Sequence, residues 1–153
     1  MMSVRQLAIL LSALALVAAC SAGGGGTTGP SAASIPSTSA GATRVEVNLT
    51  DALKIEPATM TVPAGVPVTF VVTNSGVNDH EFYLGDEAAQ AEHEEEMVSM
   101  GGMAHDEPEG IAAKPGETRE LTYTFAQAGE TLAGCHVVGH YGGGMKAAIS
   151  VTG

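Results

Sequence analysis

The chain has 153 residues, with 17 Asp and Glu against 6 Lys and Arg, few aromatic residues and no tryptophan. Its formal charge of −11 argues against nucleic acid or an anionic lipid surface as the partner it recognises, and fits a solvated acidic face or a cationic partner. The length suits one folded domain, once the unusual first 42 residues are set apart.

Those residues begin "MMSVRQLAILLSALALVAAC", where a single basic residue, Arg5, precedes the apolar run Leu7–Ala19 and then small residues. This is the build of an export signal, and the run is shorter than the roughly 20 residues a membrane-spanning helix needs. Residues 1–19 are therefore expected to be a signal peptide. "LVAAC" resembles a bacterial lipobox, which implies a diacylated Cys20 and a protein lipid-anchored to the outward face of a cell-envelope membrane, periplasmic or external. Ordinary cleavage after Ala22, discarding Cys20, is the alternative. Residues 20–42 hold no charge and almost no large apolar side chain, so they read as a flexible tether. Five basic against 17 acidic residues then leave the remainder near −12. With Cys20 lipidated, Cys135 is the sole thiol of the folded part and cannot form an internal disulfide.

The folded part is expected over residues 43–153. "TRVEVNLT" (43–50) alternates apolar and polar residues, and "VPVTFVVTN" (66–74) is rich in β-branched side chains, so both read as strands. Between them Pro57 and Pro63 suit an edge strand or a crossing segment. "HEFYL" (80–84), "TRELTYTF" (118–125), "TLAGCHV" (131–137) and "MKAAISVTG" (145–153) complete a series of short strands separated by turn signals, the texture of a β-sandwich. Residues 85–110 break this pattern with acidic residues and alanines ending at Gly101-Gly102, and predict an inserted helix over about 86–100.

In "GCHVVGHYGGGM", Cys135, His140 and Met145 follow a Cys-x4-His-x4-Met spacing, while His80 opens a strand 55 positions earlier. A thiolate, two imidazoles and a thioether are soft donors, and a trigonal His-His-Cys set with a weak axial Met is the geometry of electron-transfer copper. Zinc competes for Cys and His, but its structural sites draw on those residues without methionine. The glycines at 139 and 142–144 suit a tight turn that lets neighbouring donors converge. Singly, Cys135 also fits a small buried hydrophobe, His140 a loop histidine and Met145 a core residue.

From about Val45 to Val151 the chain resembles a cupredoxin, the small blue-copper family, including "IEPATMTVPAGVPVTFVVTNSG" across the early strands. The resemblance implies an all-β Greek-key sandwich with one type 1 copper that passes single electrons. It assigns the metal-ligand roles to His80, Cys135, His140 and, axially, Met145. Val138 departs from the proline that members often carry before the Gly-His pair. His140, by the same likeness, has its ring edge near the surface as an electron port. His136 should point away from the site by strand alternation, with an exposed side chain.

The insertion also holds His93, Met97, Met100, Met103 and His105 among many acids, with no Lys or Arg between His80 and Lys114. On a helix His93, Met97 and Met100 share one face, which fits either packing on the sandwich or a second site for Cu(I). Similar acidic, Met- and His-containing insertions occur in cupredoxins associated with copper tolerance, which implies copper handling. Two roles are thus expected: an electron carrier working with redox partner proteins, or a copper sequestration and delivery protein working with copper-handling partners. No paired nucleophile and base, phosphate loop or second histidine set points to an enzyme, and a cuprous oxidase activity at one copper stays open.

Overall fold

Alternation sets the first strand, β1 (Thr43–Thr50), which buries Val47 and Leu49 and turns Arg44 and Glu46 outward. This computed structural model describes residues 43–153, so the expected signal segment, Cys20 and the tether lie outside the described residues. β1 pairs antiparallel with the short β2 (Lys54–Glu56). On its other side it pairs in parallel with what becomes the densest strand of the fold, residues 67–74.

The chain between them does what its prolines predict. After β2 it crosses to the other layer through Pro57 and forms β3 (Thr59–Pro63), and both β2 and β3 lie at sheet edges. β4 (Pro67–Asn74) then buries Val68, Phe70, Val71 and Val72. Beyond it come β5 (His80–Gly85), the helix α1 (Glu87–Ser99), β6 (Gly110–Ala113), β7 (Thr118–Thr124), β8 (Gly129–Gly134) and β9 (Lys146–Thr152). One sheet runs β2-β1-β4-β7 and the other β3-β9-β8-β5-β6, the two-layer sandwich expected from the sequence.

β6 is an addition to the strands read from the sequence, where residues up to 110 belonged to the insertion. "GIAA" carries one large apolar side chain, Ile111, too little for a strand signal, yet it pairs with β5 from His80↔Ala113 to Tyr83↔Gly110. α1 falls where expected, with Asp86 as N-cap accepting from the Ala88 and Ala89 N–H groups, and Met100 as C-cap. Its buried residues are Gln90, His93 and Met97, so the helix lies on β5 and β8 largely through polar side chains.

Aromatic packing joins the layers. The ring of Phe70, on β4, meets that of Phe82, on β5, at 5.2 Å and the edge of Phe125 at 6.3 Å, and Phe70 and Phe82 are fully buried. Phe70→Ala is expected to lower unfolding free energy by about 3–5 kcal/mol, measured by urea denaturation. A loss under about 1 kcal/mol would show that this contact does not join the sheets.

Candidate metal centre

Strand direction gathers the centre. β8 is antiparallel to both β5 and β9, so the start of β5, the end of β8 and the start of β9 meet at one end of the five-stranded sheet. His80 is the first residue of β5, Cys135 follows β8 directly, and Met145 directly precedes β9. The loop from Cys135 to Met145 is closed by its own backbone. The Met145 N–H donates to the His140 carbonyl at 3.0 Å, and the Cys135 N–H donates to the Met145 carbonyl at 3.1 Å. Of the loop glycines, Gly139 and Gly144 take positive φ, 82° and 93°, which lets two reversals fit between the donors.

His80, Cys135 and His140 present donor atoms that all lie within 4.8 Å of one another. Cys135 Sγ stands 3.4 Å from His140 Nδ1 and 3.9 Å from His80 Nδ1. An ion with a sulfur bond of about 2.3 Å and nitrogen bonds of about 2.0–2.1 Å sets those donors about 3.6–3.8 Å apart. The observed pair brackets that spacing, so the triangle fits a single ion. Met145 is fully buried in the same apolar cluster as Cys135, and His80 is fully buried too. His140 is half-buried, in keeping with a ring that reaches the surface.

The surroundings prepare each donor. Burial pushes the Cys135 thiol up to about 12, against the pull of backbone N–H groups of Glu81 and Val137. The Glu81 N–H lies 3.3 Å from the sulfur. Burial, followed by the neighbouring His80, lowers His140, which keeps its ring neutral and its lone pair free. Asp51, in the β1–β2 turn, sits 3.2 Å from His80 Nε2 and leaves Nδ1 facing the sulfur. The Asp51 carboxylate also accepts from the Val77 N–H, the Asn78 N–H and the Asn78 side chain, and is held down to about 2, first by the Val77 N–H. Fully buried Asn74 braces the same loop, donating to the Asn78 and Ala113 carbonyls at 2.8 Å each. Neither Asp51 nor Asn74 is found from the sequence, because each acts through a turn far from any ligand-type spacing.

His136 corrects an expectation. Its side chain does turn away from the centre, but α1 covers that face, and His136 is 1% exposed rather than solvated. Its ring nitrogens lie 2.6 Å from Glu94 and 2.6 Å from Gln90, both on α1, and the Tyr141 ring stacks on it at 4.4 Å. Burial lowers its pKa and outweighs the Glu94 contact, which raises it.

In the insertion, His93 and Met97 are buried, while Met100 is 39% and Met103 72% exposed. The helix face shared by His93 and Met97 is covered, and it ends before Met100, which caps the helix. His105 is half-buried, its ring 5.8 Å from that of His93.

Comparison with known proteins agrees with this geometry. Residues 42–152 match the model of the copper binding proteins of the plastocyanin/azurin family. A copper-resistant cuproprotein CopI of Pseudomonas aeruginosa is 35% identical in an alignment 146 positions long that covers 76% of this chain and 80% of that protein. The CopI of Rubrivivax gelatinosus is 36% identical over 107 residues, 70% of this chain, so the match spans 65% of that protein's length. Among solved structures, dithionite-reduced auracyanin from Roseiflexus castenholzii superposes with a TM-score of 0.66 at 23% identity, covering 74% of this chain and 99% of that one. Auracyanin A, a "blue" copper protein from Chloroflexus aurantiacus, gives 0.63 at 28% identity, covering 73% of this chain and all of its own. A donor triangle sized for one ion, at the end of a two-sheet sandwich whose sequence matches throughout, makes this chain a copper-binding cupredoxin of the plastocyanin/azurin family.

Proposed function

We propose that this protein is an exported electron carrier of copper tolerance. His80, Cys135 and His140 hold one type 1 copper, with Met145 as the axial donor. The observation that carries the reading is the donor triangle itself, already closed at 3.4 and 3.9 Å around a buried sulfur. When bound, copper supplies one-electron chemistry between its two common oxidation states. The protein's part is to hold the donors still. Asp51 orients His80, the backbone ring of Cys135, His140 and Met145 keeps the loop from opening, and half-buried His140 offers the short way to a redox partner. The relatives named for copper resistance support a role in copper tolerance.

A second reading, copper sequestration and delivery, draws on the exposed Met100 and Met103, whose thioethers suit Cu(I). The two separate by stoichiometry. One equivalent in both oxidation states, with rapid reversible bleaching by a one-electron reductant, supports the carrier. Further Cu(I) equivalents lost on replacing Met100 and Met103 support sequestration.

Export and lipidation rest on residues 1–20. Mass spectrometry of the mature N terminus is expected to find a diacylated Cys20, and a mature chain beginning after Ala22 would overturn the anchor.

The thiol pushed up to about 12 is protonated at neutral pH, so Cu(II) uptake by the full chain should release one proton and generate an intense visible band. Calorimetry in buffers of different ionisation enthalpy measures the proton. Because the metal competes with that proton, apparent affinity should rise as pH rises, about tenfold per unit while the free thiol stays protonated and the imidazoles are neutral. Cys135→Ser should remove band and proton release with the sandwich still folded. A surviving band would refute the assignment.

Asp51→Asn should weaken copper binding about 10–100-fold in a chelator competition while leaving the visible band in place. An unchanged affinity would show that Asp51 serves only the loop.

A further inference from the structure

The ring of His93, on α1, lies flat on Tyr83 at 3.9 Å with an interplanar angle of 5°, and its side chain is 1% exposed. Nε2 is 3.1 Å from Glu81 Oε1, itself buried. A histidine that donates Nε2–H to a carboxylate carries its lone pair on Nδ1, the arrangement that makes an imidazole a good metal ligand. That Nδ1 is buried and has no hydrogen-bond partner. It faces Glu107 Oε1 at 3.7 Å and Glu96 Oε2 at 3.9 Å, too far for hydrogen bonds.

His93, Glu96 and Glu107 each offer a donor atom, and these atoms all lie within 4.8 Å of one another. Nitrogen and oxygen donors around one ion, each with a bond of about 2.0–2.2 Å, stand about 3.3–3.8 Å apart. His105 Nε2 lies 2.6 Å from the same Glu107 oxygen and holds that carboxylate toward His93. We propose that His93, Glu96 and Glu107 form a second metal site, separate from the Cys135 centre, for a divalent ion that favours nitrogen and oxygen donors, Cu(II) or Zn(II). One imidazole and two carboxylates select against Cu(I), which prefers sulfur. The site accounts for an otherwise orphaned buried nitrogen, and it does not depend on whether the Cys135 centre carries electrons. Glu81 joins the two centres, because its side chain orients His93 while its backbone N–H meets the Cys135 sulfur.

The test uses the full chain with the Cys135 centre first filled by one Cu(II), followed through its visible band. Zn(II) is then titrated calorimetrically, and in a parallel sample a second Cu(II) is followed by electron paramagnetic resonance. One further equivalent is expected, with nitrogen coupling from a single imidazole in the copper case. Glu107→Gln should weaken it at least about tenfold. His93→Gln should abolish it, and both variants should keep the visible band of the first centre. Binding of one ion but not the other names the preferred metal within the proposed class. Absence of a further equivalent for both ions, or a further equivalent unchanged in Glu107→Gln, would overturn the site. A second equivalent accepted only as Cu(I) would place it on the methionines and overturn it equally.

Discussion

The centre depends on the antiparallel pairing of β8 with β5 on one side and β9 on the other, which delivers three chain ends to one place. Leu84↔Ala133 and Ala133↔Ala147 fix the register, and a slip of one residue would turn Cys135 out of the apolar interior. Because the sulfur is fully buried, its thiolate is disfavoured until a cation arrives. The fold thus shields the Cys135 thiol and ties its ionisation to metal capture. The same burial limits how far His80, Cys135 and Met145 can move.

Strand alternation distributes work between the two sides of the five-stranded sheet. His80 faces the metal centre, and Glu81 faces the helix, where its carboxyl group meets His93 and the His136 N–H. Gln90 adds bonds from its amide to the carbonyls of Tyr83, Gly85 and Leu132. α1 is therefore held by a polar network, satisfied apart from His93 Nδ1, in which removing one member strands another in a low-dielectric interior, at a cost of roughly 1–3 kcal/mol per neutral group.

Alternation and turn chemistry made β1, β4, β7 and β9 legible within a few residues, and Asp86 with Gly101-Gly102 bounded the helix. The gathering of Cys135, His140 and Met145 was legible because all three fall in one short loop, which the structure brings beside His80. Asp51 and Asn74 were not, since their importance comes from the loop before His80, which only the folded chain brings to them. For His136 the direction of the side chain followed from the strand period, but its burial did not, because no period reveals that a helix elsewhere in the chain covers that face. On α1 the sequence placed His93, Met97 and Met100 together by angle. The helix ends at Ser99, so Met100 leaves the covered surface.

The parallel pairing of β3 with β9, Thr59↔Ala148 through Pro63↔Thr152, joins segments separated by most of the domain. Contacts so distant in sequence form late, after the loop-closure entropy of the intervening chain has been overcome. The lead-in to β9 supplies Met145, and its backbone closes the loop carrying His140. Until β9 docks on β3 and β8, Met145 has no fixed place beside Cys135 and His140, so the four residues come together only in the finished sandwich.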